Sequence, residues 1–268
     1  MKRSWILLTL GYFLSLQGLS ATTFTTEFQA RVTGNDDISN ALEKMGVNDV
    51  SACSVVSYKL YDDKNGTLQK NDIAVRYRDK GKKADLCIKF KLKYSQETVD
   101  LLSTYFTNDE IKKEINRYYN FGEYIDESGQ VELTFRTQVS KKDLGLDKTD
   151  SLSNEQILGM FLDVVQQIKD NYPTDNSNNV VLESIKEKMD LFVEKDFSNV
   201  QIIVRSFNRN SCEVKDWNGY EKVTVEYSDT QYTSPFLEIS TRMDGDTNNN
   251  DFFDKLKNIG VYKDIASR

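Results

Sequence analysis

Charged residues recur at every second position in several short segments of this chain. Glu27, Gln29 and Arg31 alternate with Phe28, Ala30 and Val32. Arg76 and Arg78 alternate with Val75 and Tyr77, and Lys89, Lys91 and Lys93 with Ile88, Phe90 and Leu92. Arg136 follows Phe135, and Arg205 follows Val204. Lys222, Thr224 and Glu226 alternate with Val223, Val225 and Tyr227, and Glu238, Ser240 and Arg242 with Leu237, Ile239 and Thr241. In a β-strand such positions share one face. The charged faces carry Arg31, Arg76, Arg78, Lys89, Lys91, Lys93, Arg136, Arg205, Lys222 and Arg242 against only Glu27, Glu226 and Glu238. Cations enclosed together repel strongly at low dielectric, so an enclosed set of this kind calls for a polyanion. Arginine presents planar forks that match phosphate oxygens, and lysine presents compact point charges. A few carboxylates among them suit Mg2+ or Mn2+, which take oxygen ligands and bridge to substrate phosphates.

Composition narrows the chemistry further. The 268 residues include no histidine, which excludes a Ser-His-Asp or Cys-His relay, a phosphohistidine step and an imidazole-based zinc site. Hydrolysis would therefore need metal-assisted water. With 35 Lys+Arg against 42 Asp+Glu, the net charge is −7, which argues against nucleic acid as a partner. A basic site inside an acidic shell remains compatible with that balance.

The elements that must position these residues are legible in outline. Residues 24–94 read as strands with one helix, in which Ile38, Leu42 and Met45 fall at helical spacing, Asp36 or Asp37 caps and Gly46 stops. Residues 95–197 read as mainly helical. Ser153 and Gln156 form a capping box ahead of Ile157, Phe161, Val164, Val165 and Ile168, and Pro173 ends that segment. Val181, Leu182, Ile185, Met189 and Phe192 form a second stripe, and Val131–Arg136 is a strand-like interlude. Residues 174–179 make a polar linker. Strands return over 200–243, before a short helix with Phe252, Phe253, Leu256 and Ile259.

Three arrangements satisfy the alternation. Charges face water on an ordinary half-buried sheet. Alternatively, charges line a closed barrel whose apolar outside is covered by the amphipathic helices. The third is an outer-membrane barrel, which the long helical middle disfavours.

The ordered set Tyr58–Leu68, Ile73-Ala74-Val75-Arg76-Tyr77-Arg78 and Ile88-Lys89-Phe90-Lys91 resembles the CYTH family of triphosphate tunnel metalloenzymes. That pattern has an E-x-E-x-K strand, a Y-x-D hairpin, an R-x-R strand, a lysine strand, a late E-x-E strand and a short helix. Glu27–Arg31 and Leu237–Arg242 stand in the first and last strand positions. The resemblance implies an α+β fold: an antiparallel closed β-barrel, or tunnel, with a polar, basic lumen, flanked by helices from a central insertion. It implies a single domain over 22–268, with a mainly helical insertion at about 95–197. It also implies that Arg31, Arg76, Arg78, Lys89, Lys91, Arg136, Arg205, Lys222 and Arg242 bind a polyphosphate or organic triphosphate, a phosphorylated small-molecule anion. Glu27 and Glu238 would be catalytic, and Glu27, Glu226 and Glu238 would hold Mg2+ or Mn2+ in a metal-dependent phosphohydrolase. Gln29 and Ser240 replace the second acids and Arg31 the lysine. Those departures leave a second expectation, a non-catalytic anion-binding barrel that has lost metal ligands.

Lys2 and Arg3, the apolar run Trp5–Leu14, and Gly18, Ser20 and Ala21 read as a signal peptide over 1–21. The expected product is exported, secreted or periplasmic, with no membrane span after cleavage. Cys53, Cys87 and Cys212 allow one internal disulfide and leave one thiol, with the pair open. Asn65-Gly66 reads as a type I′ hairpin turn, Lys80–Lys83 as a hairpin tip, and Asp244–Asn250 as a polar loop.

Overall fold

Alternation of apolar and charged residues produces nine strands among the described residues of this computed structural model, which are 24–33, 35–47, 53–120, 123–175, 179–193, 202–228, 236–245 and 251–261. The strands are β1 (Thr25–Thr33), β2 (Ser54–Asp62), β3 (Ile73–Asp79), β4 (Lys83–Lys93), β5 (Lys112–Asn120), β6 (Glu123–Ser140), β7 (Ile202–Trp217), β8 (Tyr220–Ser228) and β9 (Phe236–Asp244). Six helices accompany them: α1 (Asn35–Lys44), α2 (Thr67–Lys70), α3 (Gln96–Tyr105), α4 (Asn154–Asp170), α5 (Val180–Val193) and α6 (Asp251–Asn258). The signal segment 1–21 and loop residues 246–250 lie outside the described residues. No described helix is long and apolar enough to cross a membrane.

The strands close into one barrel in the order β1-β5-β6-β4-β3-β2-β7-β8-β9, with β9 returning to β1. Of the three arrangements compatible with the sequence, this is the closed barrel with charges inside. Neighbours run antiparallel except β1 and β5, which pair in parallel from Thr25↔Glu114 to Arg31↔Asn120. The segment expected to be a mainly helical insertion thus supplies two barrel strands besides α3, α4 and α5. The interlude at Val131–Arg136 is a middle stretch of the 18-residue β6, and β5 beside it completes the wall.

Helices cover the outward faces. On one side Leu86, Ile88, Phe90, Leu133 and Phe135 pack beneath α3, α4 and α5, where Phe161, Val164, Ile185, Met189 and Phe192 are buried. Phe90 meets Phe135 and Phe192 with ring centroids 5.8 and 6.0 Å apart. On the other side Phe28, Val223, Val225 and Ile239 pack beneath α1 and α6, and Phe28 lies 5.8 Å from Phe253. Each such side chain contributes about 1.5–3 kcal/mol of burial energy, so the barrel is held chiefly from outside. The expected capping box forms, with Ser153 Oγ accepting from Gln156 N (3.2 Å) and Gln156 Oε1 from Ser153 N (2.8 Å).

Two local expectations change. Helix α1 starts at Asn35, so the predicted caps Asp36 and Asp37 fall inside it, while Gly46 stops it at φ 77°. Asn65-Gly66 does not make a two-residue hairpin. Asp62 and Asp63 instead capture backbone N–H groups, Asp62 those of Leu68 and Gln69 and Asp63 those of Asn65 and Thr67, and this nucleates α2. Acceptor side chains beside Gly66 thus favour a helical turn over a tight reversal.

Cys53 and Cys212 form a disulfide, one rung beyond the Ser54↔Ser211 pair that joins β2 to β7, and Cys87 is the buried free thiol. The bridge closes a loop spanning 159 residues, long enough for a large entropic effect on the unfolded chain. Replacing Cys53 and Cys212 by serine is expected to lower Tm by about 5–15 °C in thermal unfolding followed by circular dichroism, with barrel content retained below the transition.

Candidate functional site

Strands β1 and β9 carry nearly the same luminal pattern, Glu27-x-Gln29-x-Arg31 and Glu238-x-Ser240-x-Arg242. Running antiparallel, they place Glu27 opposite Arg242, Gln29 opposite Ser240 and Arg31 opposite Glu238. Each acid therefore meets the other strand's arginine. Arg242 Nη2 lies 2.8 Å from Glu27 Oε1, and Arg31 Nε lies 3.1 Å from Glu238 Oε2. The two positions that depart from the acidic pattern share the neutral rung between these pairs.

The pairing continues inward. Arg242 Nε also donates to Glu114 Oε1 on β5 (2.9 Å), so one guanidinium bridges two carboxylates. Lys89 on β4 donates to Glu132 on β6 and lies 4.0 Å from Glu114 Oε2. Glu27, Glu114 and Glu132 are only 6, 4 and 4% exposed, and such burial is tolerable because the charges alternate in sign. Burial raises the Glu27 pKa, against the pull of Arg242, with Glu114 adding to the rise. Burial would raise Glu114 as well, but Arg242, Lys89 and Lys112 together hold it below the usual carboxylate range. Burial works against a charged Lys89, yet Glu132 and Glu114 raise its pKa.

Other acids are also engaged. Asp85 on β4 is fully buried and accepts Arg78 Nε (2.8 Å) and Nη2 (3.0 Å), while Lys80 Nζ approaches to 2.9 Å. Despite burial, these two cations keep its pKa low. Glu226 accepts Arg209 Nη1 (2.9 Å) and the Tyr58 hydroxyl (3.1 Å). Tyr58 stacks on Phe207 with centroids 5.1 Å apart, and the Arg209 guanidinium lies 4.9 Å from the Tyr58 ring centroid. Burial and Glu226 push the Tyr58 hydroxyl up to about 12, so it is a donor at neutral pH. Lys222 pairs with Glu213 where both are exposed, a contact of little energetic weight.

What remains is cationic. Among the described residues Arg76, Lys91, Lys112, Arg136 and Arg205 form no ion pair. Arg76 Nε is buried without a hydrogen-bond partner, as is Asn116 Nδ2. The lumen opens into a cavity of about 910 Å³ lined by Tyr58, Arg78, Lys222, Thr224, Glu226 and Arg242. A second cavity, of about 440 Å³, is lined by Leu60, Ala74, Lys91 and Arg205. Burial, with Arg136, Arg242 and Arg78 nearby, lowers the pKa of Lys112, which fits a chamber with cations to spare.

The expected binding residues are thus brought to one lumen, but they divide. Arg31, Arg78, Lys89, Lys222 and Arg242 are tied to acids, whereas Arg76, Lys91, Arg136 and Arg205 are not. The expected metal ligands Glu27, Glu226 and Glu238 are engaged by Arg242, Arg209 and Arg31 respectively. Among the described residues no group of three His, Cys, Asp or Glu converges to hold an ion. This donor set does not fit a resident Mg2+ or Mn2+. Sequence reading missed Asp85, Lys112, Glu114, Glu132 and Arg209. Three of these carried a usable signal, since Asp85 shares strand parity with Lys89, Glu132 with Arg136, and Arg209 with Arg205.

No family model and no curated protein matches the chain. Among solved structures, it is similar to a Bacillus halodurans protein named as a candidate adenylate cyclase, at 9% identity and TM-score 0.46, covering 90% of this chain and 91% of that one. It is also similar to HpAC1 of Hippeastrum, described as a candidate adenylyl cyclase with dominant triphosphatase activity (9% identity, TM-score 0.42, 92% and 91% covered). A third is the PH1819 protein of Pyrococcus horikoshii (11% identity, TM-score 0.40, 88% and 92% covered). The closed barrel flanked by helices is the fold class that the sequence resemblance implies.

Asp85 provides a test of the lumen's electrostatic frame. Its folded pKa is depressed, so its contribution is present above the unfolded value of about 3.9 and is lost as pH falls through the folded value. Asp85→Asn is expected to cost roughly 2–3 kcal/mol at neutral pH, below the ~3–5 of a fully buried pair because Arg78 and Lys80 reach solvent. The gap from wild type should narrow on acidification, as read by urea unfolding at a series of pH values.

Proposed function

We propose that the barrel binds a short linear polyphosphate or an organic triphosphate within its lumen. The observation that carries this reading is the cationic surplus: among the described residues Arg76, Lys91, Lys112, Arg136 and Arg205 form no ion pair, while the luminal acids already have cationic partners. Repeated phosphates match that surplus in charge better than a single small anion, and arginine forks supply directional donors. The cavities at Arg242 and at Lys91 give the ligand space beyond a single phosphate. The disulfide supports an exported protein, since such bridges persist in oxidising compartments.

A second reading is metal-dependent phosphohydrolysis, favoured by the direct cross-strand opposition of Glu226 and Glu238. It requires those acids to exchange their arginine partners for an ion. Phosphate release from tripolyphosphate with Mg2+ or Mn2+ distinguishes the two. Turnover that vanishes in Glu27→Ala and Glu238→Ala establishes hydrolysis, and binding without turnover leaves the anion-binding barrel.

Calorimetric titration with tripolyphosphate is expected to show binding that weakens with added salt. Arg76→Ala should lower the affinity roughly 10–100-fold, the range for a lost charge-assisted hydrogen bond of about 1.5–3 kcal/mol. Unchanged affinity in that variant would remove the lumen as the site.

A further inference from the structure

Five side chains form a string of alternating charge across β1, β9, β5, β4 and β6: Glu27, Arg242, Glu114, Lys89 and Glu132. Arg242 is its hinge. The guanidinium holds a carboxylate oxygen of Glu27 at 2.8 Å and one of Glu114 at 2.9 Å, from two neighbouring strands. Bridging two buried carboxylates from different strands is a task that a divalent ion also performs, through the same oxygen atoms. The Arg242 side chain is nevertheless 54% exposed and lines the large cavity, so one edge faces the acids and the other the ligand space.

We propose that Arg242 is a built-in cation that takes the place of a divalent ion between Glu27 and Glu114, so that phosphate-chain binding in this lumen is independent of metal. The charge count supports the exchange. With Arg242 the string holds three carboxylates and two cations. Without it, Glu27 and Glu114 lose the one cation bonded to both, and the excess negative charge left between them is what a divalent ion would offset. One further oxygen stands close by, since Asn116 is the β5 residue paired with Glu27 and its Oδ1 accepts from Gln29 Nε2 at 3.5 Å. This inference rests on phosphate binding in the lumen but is tested separately from it.

Mn2+ binding followed by electron paramagnetic resonance, using the full chain, reads the exchange directly. Wild type is expected to bind Mn2+ weakly, and Arg242→Ala to bind it at least about tenfold more tightly, with the gain lost in Arg242→Ala/Glu27→Gln. In parallel, the affinity of metal-stripped wild type for metal-free tripolyphosphate should be unchanged by EDTA, and binding lost on removing metal would overturn the proposal. Tight Mn2+ binding by wild type that disappears in Glu27→Gln would overturn the proposal, as would a folded Arg242→Ala variant with no gain. Should Arg242→Ala fail to fold, the two wild-type measurements decide. If tripolyphosphate fails to bind at all, the ligand assignment falls while the Mn2+ comparison still tests the role of Arg242.

Discussion

The pairing of β1 with β9 is the constraint on which the rest of the barrel depends. It closes the sheet, and its charged rungs admit one alignment. In the observed register Glu27 meets Arg242 and Arg31 meets Glu238 across a neutral Gln29–Ser240 rung. A slip of two residues in either direction separates both pairs and leaves buried charge uncompensated. A slip of one turns Phe28 and Ala30 into the lumen and the charges into the apolar layer beneath α1 and α6. Both alternatives forfeit far more than a surface ion pair would, because Glu27 is almost wholly buried. Electrostatics inside and burial outside therefore select the same register.

That register also determines what the lumen has left to offer. Once the acids are spoken for by Arg242, Arg31, Lys89, Arg209, Arg78 and Lys80, further cations among the described residues form no ion pair. A net charge of −7 on the whole chain is compatible with this, since the helices and loops carry the excess acid. A field of the opposite sign is confined to an enclosed space, where low-dielectric walls strengthen it.

Much of this was legible in the sequence, because strand parity is a local property. The alternation at Glu27–Arg31, Arg76–Arg78, Lys89–Lys91 and Glu238–Arg242 identifies the luminal face without knowledge of neighbours. Partnership across strands is not local. Whether Arg78 is a free ligand group or the fork on Asp85 depends on the β3–β4 register, and the role of Arg242 depends on β1 lying beside its strand and β5 beyond β1. Strand β5 escaped notice because the run Lys112-Lys113-Glu114 places charges on both faces and hides its period. Lys113 points away from the lumen, where its ammonium donates to the Phe106 carbonyl at 2.8 Å. Helix α2 escaped because its start is set by side-chain acceptors on Asp62 and Asp63 rather than by an apolar stripe.

A guanidinium and a divalent ion solve the same problem of holding carboxylates together, but they leave different chemistry behind. The ion keeps exchangeable coordination positions at which water is acidified or a phosphoryl oxygen polarised. Arginine supplies charge and directional donors, remains protonated at any working pH, and has no vacant position to activate water. A bridge made by Arg242 therefore supplies charge and fixed donors but no site at which water is activated. Under the proposed phosphate binding, the step from holding a phosphate chain to cleaving it turns on which cation stands between Glu27 and Glu114.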